Sequence, residues 1–240
     1  MAHTSNYELI RFPNPETLAK GVAVEWVRTW QTDRPSGTYC LALSGGRIAR
    51  LLFSAMTELL VKTELKGLHF FWADERCVPL SDPESNFAVA RELLLDPLKV
   101  PADQIHRIRG ETGPTVAAAQ ASDELRARAT AGPEGDPVMD LVFLGMGEDG
   151  HVASLFPGEP PEVKEDRSVY RAVVAAKPPP HRVTIGYSVL AAARQVWVLA
   201  SGPGKEKALR ESLDPEGRTP LAEVLRWRNQ TRIFSDIHLE

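Results

Sequence analysis

Cysteine is scarce in this chain: Cys40 and Cys77 are its only two in 240 residues, too few for a disulfide framework and without metal-type spacing. The six histidines contain no H-x-x-x-H pair, so no metal site is expected. Uninterrupted apolar runs are short, as in Val196-Trp197-Val198-Leu199-Ala200, well below the ~20 residues that a membrane-spanning helix needs. Glu8, Pro13 and Pro15 stand where a signal peptide would carry a continuous apolar segment. Basic charge is not in surplus either. Lys and Arg number 28 against 32 Asp and Glu, a net charge of −4, which leaves no excess to neutralise the phosphates of a duplex. No repeat or low-complexity tract occurs. These absences lead us to expect a soluble, cytoplasmic protein with no membrane and no nucleic-acid partner.

What is present is an ordinary globular composition, 43% hydrophobic and 25% charged, enough to build a core without staples. The first strand begins by about Tyr7. Asn14 is placed to cap a helix with Pro15 at its first position, running to about Trp30. Residues 38–43 read as a buried strand ending in Ser44-Gly45-Gly46. Beyond it, Ile48, Leu51, Leu52, Ala55, Met56, Leu59 and Leu60 repeat on one face of an amphipathic helix. Residues 69–73 form another strand, followed by Asp74-Glu75-Arg76 and a helix over 86–95. A helix over 115–129 stops at Gly132-Pro133; strands follow over 141–144, 183–185 and 196–200, with a helix over 204–213. The alternation predicts an α/β fold as one domain over residues 1–240, a mostly parallel, Rossmann-like sheet with helices on both faces (an α/β/α sandwich). Ligands of such sheets bind beyond the carboxyl ends of the strands. Four strands end in polar or glycine-rich loops, at Ser44, Asp74, Gly145 and Ser201, and these loops are expected to converge.

Ser44-Gly45-Gly46 joins a strand to a helix. Two glycines let backbone N–H groups approach an anion at a helix N-terminus, though a simple tight turn uses them equally well. Arg47 shifts that balance, because a cation in a helix's first turn opposes the dipole by ~0.3–1 kcal/mol. Lys205 repeats the conflict in Ser201-Gly202-Pro203-Gly204-Lys205, again between a strand and a helix. Either cation alone reads as a solvated surface residue; the pair favours a bound phosphate or another anion.

Gly145-Met146-Gly147-Glu148-Asp149-Gly150 matches the dinucleotide-binding pattern, but two carboxylates occupy the place of a pyrophosphate and Pro157 leaves no room for a crossover helix. An NAD-dependent oxidoreductase is therefore not expected. The same loop offers Asp149-Gly150-His151, either a capped turn with a surface histidine or a general base beside a carboxylate.

Four segments resemble the 6-phosphogluconolactonase family, whose superfamily also holds glucosamine-6-phosphate deaminase. They are Leu43-Ser44-Gly45-Gly46, residues 71–79 (FWADERCVP), residues 145–157 (GMGEDGHVASLFP) and residues 178–184 (PPPHRVT), in the family's order. Ser85-Asn86 and Gly204-Lys205 fit as well. The resemblance implies hydrolysis of 6-phosphogluconolactone to 6-phosphogluconate, in the oxidative pentose phosphate pathway, with no cofactor. The implied partner is a small phosphorylated sugar lactone, and the protein a monomer or small homo-oligomer. It further implies that His151 activates water and then protonates the leaving ring oxygen, with Asp149 orienting it. Arg76 would stabilise the oxyanion or bind the sugar, and Asp74 would hold a hydroxyl or orient its loop. Arg182, Lys205 and the Ser44-Gly45-Gly46 backbone would clamp the phosphate. Two departures stand out. Arg47-Ile48-Ala49 follows the glycine pair where the family has a hydroxyl residue and proline, leaving Arg47 to supply charge. The deaminase branch carries a Glu shortly after its D-G-H, whereas Ser154-Leu155-Phe156-Pro157 offers no carboxylate.

The alternatives are a sugar-phosphate isomerase or deaminase, which needs that carboxylate, and a non-catalytic sugar-phosphate-binding regulator. Regulators of this kind usually add a DNA-binding segment, for which a first strand at Tyr7 leaves no room. Other features have plain readings. Trp26 and Trp30 belong to the core, and Pro178-Pro179-Pro180 shapes the entry to the Arg182 strand. Cys77 lies beside Arg76, a neighbour able to lower its pKa, but hydrolysis by water does not need a thiol and Cys77 is read as structural. The charged stretch 159–167 is expected to be a solvated, mobile loop.

Overall fold

The structure, a computed structural model, describes residues 6–32 and 37–239. The chain begins β1 (Tyr7–Arg11), α1 (Pro15–Thr32), β2 (Tyr39–Leu43), α2 (Arg47–Leu60), β3 (Leu68–Trp72), β4 (Asp74–Arg76), α3 (Asn86–Ala90) and α4 (Pro114–Arg128). It continues through β5 (Thr130–Ala131), β6 (Pro137–Val138), β7 (Leu141–Gly145), α5 (Pro161–Glu165), β8 (Tyr170–Val174) and β9 (His181–Ile185). The last elements are α6 (Tyr187–Ala192), β10 (Gln195–Ala200), α7 (Glu206–Leu213), α8 (Pro220–Arg226) and β11 (Thr231–Ser235).

Six strands form one sheet in the order β1-β11-β10-β7-β2-β3, every pairing parallel. All five residues of β2 are buried, as in a parallel strand covered on both faces. The chain leaves β2 toward β3 on one side and β7 toward β10 and β11 on the other. The strand order therefore reverses between β2 and β7, where an open α/β sheet leaves its crevice. A smaller antiparallel sheet, β4-β9-β8, is joined to the large one through the fully buried Ala73. Its N–H donates to the carbonyl of Leu43 at the end of β2, and its carbonyl accepts from Ile185 at the end of β9. That handover fixes Asp74 at the carboxyl end of β3.

The helices obey their sequence signals. The Asn14 side chain accepts the N–H of Thr17 at 2.9 Å, and α1 then runs one half-turn beyond Trp30 to Thr32. Trp26 and Trp30 stack at 5.9 Å, and Trp26 meets Phe143 edge-on at 6.4 Å. Phe143 in turn touches Trp197, and Trp197 touches Phe234, so one aromatic row runs across β7, β10 and β11.

Three expectations are corrected. The strand expected over 69–73 is Leu68–Trp72, because Ala73 serves two sheets rather than one. The helix expected over 86–95 is α-helical only to Ala90 and continues as a π-helical turn, Arg91–Leu95. The charged stretch 159–167 is not a loose loop: it contains α5, tied down by Lys164 to Glu223 and by Arg171 to Glu159 at 2.7 Å. Opposite charges on neighbouring elements, invisible to a local reading, convert a solvated-looking run into an anchored one.

Trp26 is fully buried between α1 and the sheet. Trp26→Ala should cost about 3–5 kcal/mol by leaving a cavity under α1, read as a lower urea midpoint at unchanged slope.

Candidate active site

The loops after β2, β3, β7 and β10 line a single cleft of about 310 Å³. Ser44, Gly45, Gly46 and Arg47 come from the first, Asp74 and Arg76 from the second, His151 from the third and Ser201 and Lys205 from the fourth. Arg182, on β9, and Asn86, at the start of α3, complete it. Every residue that the sequence nominates thus faces the cleft except Asp149, which stands behind His151 and holds it.

His151 owes its placement to the turn that follows β7. Its Nδ1 lies 2.5 Å from Asp149 Oδ1, and the same oxygen accepts the His151 N–H at 3.1 Å. An ionised Asp149 therefore fixes the Nδ1–H tautomer and leaves Nε2 as the basic nitrogen. Burial alone would raise the Asp149 carboxyl. The charge and hydrogen bond of His151 outweigh burial and hold it below its ordinary value. The imidazole packs directly on the backbone of Gly147: a Cβ there would lie 2.1 Å from its Cε1 and Nδ1. The glycine of the apparent dinucleotide motif thus serves a histidine, and the segment after it turns back instead of opening a helix.

The cations carry the electrostatics. Arg76 and Arg182 stand opposite each other across β4 and β9, a like-charge pair that destabilises unless something intervenes. Burial first, and the Arg76 charge second, lower the pKa of Arg182. Its Nε donates to the carbonyl of Pro179 at 3.0 Å, so the triple-proline segment does position this side chain. Lys205 is lowered in the same way, by burial and then by Arg47. Arg47, Arg182 and Lys205 form no ion pair among the described residues. Arg76 has one, Glu84 at 3.0 Å, while its Nε is buried without a partner. The helix α2 adds a further positive end, since its N-cap Gly46 supplies no side-chain bond to the first-turn N–H groups. An anion entering the cleft would meet positive charge from each of these elements.

Asp74 does not float free among the cations. Ser154 Oγ donates to its Oδ2 at 2.6 Å, and Asn86 Nδ2 donates to its carbonyl at 2.9 Å. Asn86 also occupies the space beside Gly45, where a Cβ would meet its Oδ1 at 1.9 Å. Asn86 is held in turn by the buried Glu75, whose carboxyl oxygens accept the N–H groups of Arg76, Asn86 and Phe87. Burial pushes that carboxyl up to about 7 against these donors. The roles of Glu75 and Ser154 escape a sequence reading because their partners lie 11 and 80 residues away; Asn86 is signalled by the family resemblance of Ser85-Asn86, without its role. Burial, then the charges of Glu75 and Glu111, push the Cys77 thiol up to about 11 despite the adjacent Arg76, in keeping with a structural cysteine.

Two outcomes are expected. Gly147→Ala should displace the imidazole, seen as a changed His151 ring environment by NMR with little change in unfolding midpoint. Arg47→Gln removes a like charge and should raise the Lys205 ammonium pKa in a titration of its Cε resonance.

Residues 13–233 match the model of the glucosamine-6-phosphate isomerases/6-phosphogluconolactonase family. A 6-phosphogluconolactonase of Haemophilus influenzae is 35% identical over 206 residues, 84% of each chain. One of Treponema pallidum is 37% identical over 185 residues, 75% of each. The solved structure of 6-phosphogluconolactonase from Trypanosoma cruzi superposes with a TM-score of 0.83 at 26% identity, covering 98% of this chain and 97% of that one. With the fold, the cleft and these likenesses in agreement, the chain belongs to the glucosamine-6-phosphate isomerase/6-phosphogluconolactonase family.

Proposed function

We propose that this protein hydrolyses 6-phospho-D-glucono-1,5-lactone to 6-phospho-D-gluconate. The observation that carries the reading is the pairing, within one cleft, of an Asp149-held histidine with three cations that form no ion pair among the described residues. The first suits attack on an ester carbonyl and the second suits a phosphate on the same small molecule. A deaminase or isomerase needs a further carboxylate beside the histidine, and Phe156 stands there instead, its ring 5.2 Å from that of His151.

In this reading the phosphate lies between Arg182 and Lys205, over the N–H groups of Gly45 and Gly46, with Arg47 adding charge. The lactone carbonyl then reaches His151. Nε2 takes a proton from water as its oxygen bonds to C1, and the carbonyl electrons move onto oxygen. Arg76 stabilises that oxyanion with its positive charge. Collapse of the intermediate breaks the bond from C1 to the ring oxygen, which receives the proton from His151. Asp74, held by Ser154 and Asn86, orients a substrate hydroxyl. The chain's own residues supply every group these steps use. A small-molecule substrate, a cytoplasmic setting and a monomer or small homo-oligomer are part of the same reading. The substrate class is supported by the relatives named 6-phosphogluconolactonase, and among the described residues no helix is long and apolar enough to cross a membrane.

His151→Ala should lower kcat about 10²–10⁴-fold, measured above the spontaneous hydrolysis of the lactone, with the fold intact. Wild-type turnover by that variant would remove His151 from the mechanism. Arg182→Gln and Lys205→Gln should each raise KM far more than they lower kcat.

A further inference from the structure

Phe156 touches the two groups on which the proposed chemistry depends, yet lines no part of the cleft. Its ring centroid lies 5.2 Å from that of His151 at 47°, and the Arg182 Cζ stands 5.6 Å from the same ring. His151 thus contacts both the backbone of Gly147 and this ring, and Arg182, which forms no ion pair among the described residues, has an aromatic ring beside it. The chain reaches that position by a tight reversal. Val152 bridges to both Met146 and Leu155, the Leu155 N–H donates to the Val152 carbonyl at 3.0 Å, and Ala153 takes a left-handed φ of 50°. A non-glycine residue is costly there. Ala153 lies in the turn that brings residue 156 back against residue 151.

We propose that Phe156 is a positioning residue that sets the imidazole of His151 and the guanidinium of Arg182 in one fixed relation. It is the shared wall between the end of the cleft that reacts and a cation that binds the phosphate; this inference rests on the function proposed above. Asp149 fixes the imidazole at one nitrogen only and leaves rotation about that contact, which the ring blocks. The negative face of the ring attracts the guanidinium and resists the push of Arg76 from across the strand pair. Loss of the ring therefore affects catalysis and binding together, although Phe156 touches no substrate.

The test compares the wild-type protein with Phe156→Leu, which keeps an apolar side chain but no aromatic face, and Phe156→Tyr, which keeps the face. Phe156→Leu should lower kcat and raise KM, each on the order of 10-fold, and weaken the binding of inorganic phosphate, with an unchanged unfolding midpoint. The upfield ring-current shift on the His151 ring protons should vanish with it. Phe156→Tyr should restore both kinetic constants and the shift. Unchanged kcat and KM in the leucine variant would overturn the proposal, as would a tyrosine variant as impaired as the leucine one. A wild-type protein that binds phosphate but does not accelerate lactone hydrolysis would instead overturn the functional reading; the loss of phosphate affinity in Phe156→Leu would still report on the Arg182 half of the inference.

Discussion

Arg47, Arg182 and Lys205 are held in one cleft with no carboxylate paired to any of them among the described residues, and Arg76 faces Arg182 across two strands. Burial and mutual repulsion both oppose the charged forms of Arg182 and Lys205. A fold does not lower its own energy by such an arrangement. It persists because the surrounding elements are over-determined: β2 is buried along its whole length, Ala73 ties two sheets together, and Arg182 is held through the carbonyl of Pro179. The cost falls away when an anion enters, so stability spent on the empty cleft returns as affinity for a phosphate-bearing ligand.

The reactive end follows a different rule. His151 is fixed by contacts within its own turn, through Asp149, Gly147 and Phe156, and needs no long-range ion pair. Asp74 and Asn86 are the reverse. They sit in the same cleft through partners from β4, α3 and the segment at Ser154, and are locked by neutral donors, so the Asp74 carboxylate still favours the charged form of Arg182. The cleft thus combines one locally held histidine with a cationic lining assembled by topology, at the point where the strand order reverses.

Much of this was legible in the residues. The four loop positions Ser44, Asp74, Gly145 and Ser201 converge because strand alternation dictates a parallel sheet and such a sheet gathers its carboxyl ends. Arg47 and Lys205 were marked by their conflict with a helix dipole. The D-G-H triplet fixed a histidine beside an aspartate, since two residues in a turn cannot separate far. Other features depend on contacts that a local pattern does not contain. Strand β11 hides its identity behind Thr231, Arg232 and Ser235, although Thr231 and Ser235 are buried and the Arg232 guanidinium lies over the Trp197 ring at 4.9 Å. Helix α5 is a run of charges until Glu223 appears beside it. The roles of Glu75, Ser154 and Phe156 require the β4–β9 pairing and the reversal at Ala153 to be known first.

The most direct test of this account is a crystal structure of the protein with 6-phosphogluconate bound. The phosphate should lie within hydrogen-bond reach of Arg182, Lys205 and the N–H groups of Gly45 and Gly46, with C1 beside Nε2 of His151. A product bound in the opposite direction, with its phosphate on His151, would contradict the account, as would binding outside the cleft.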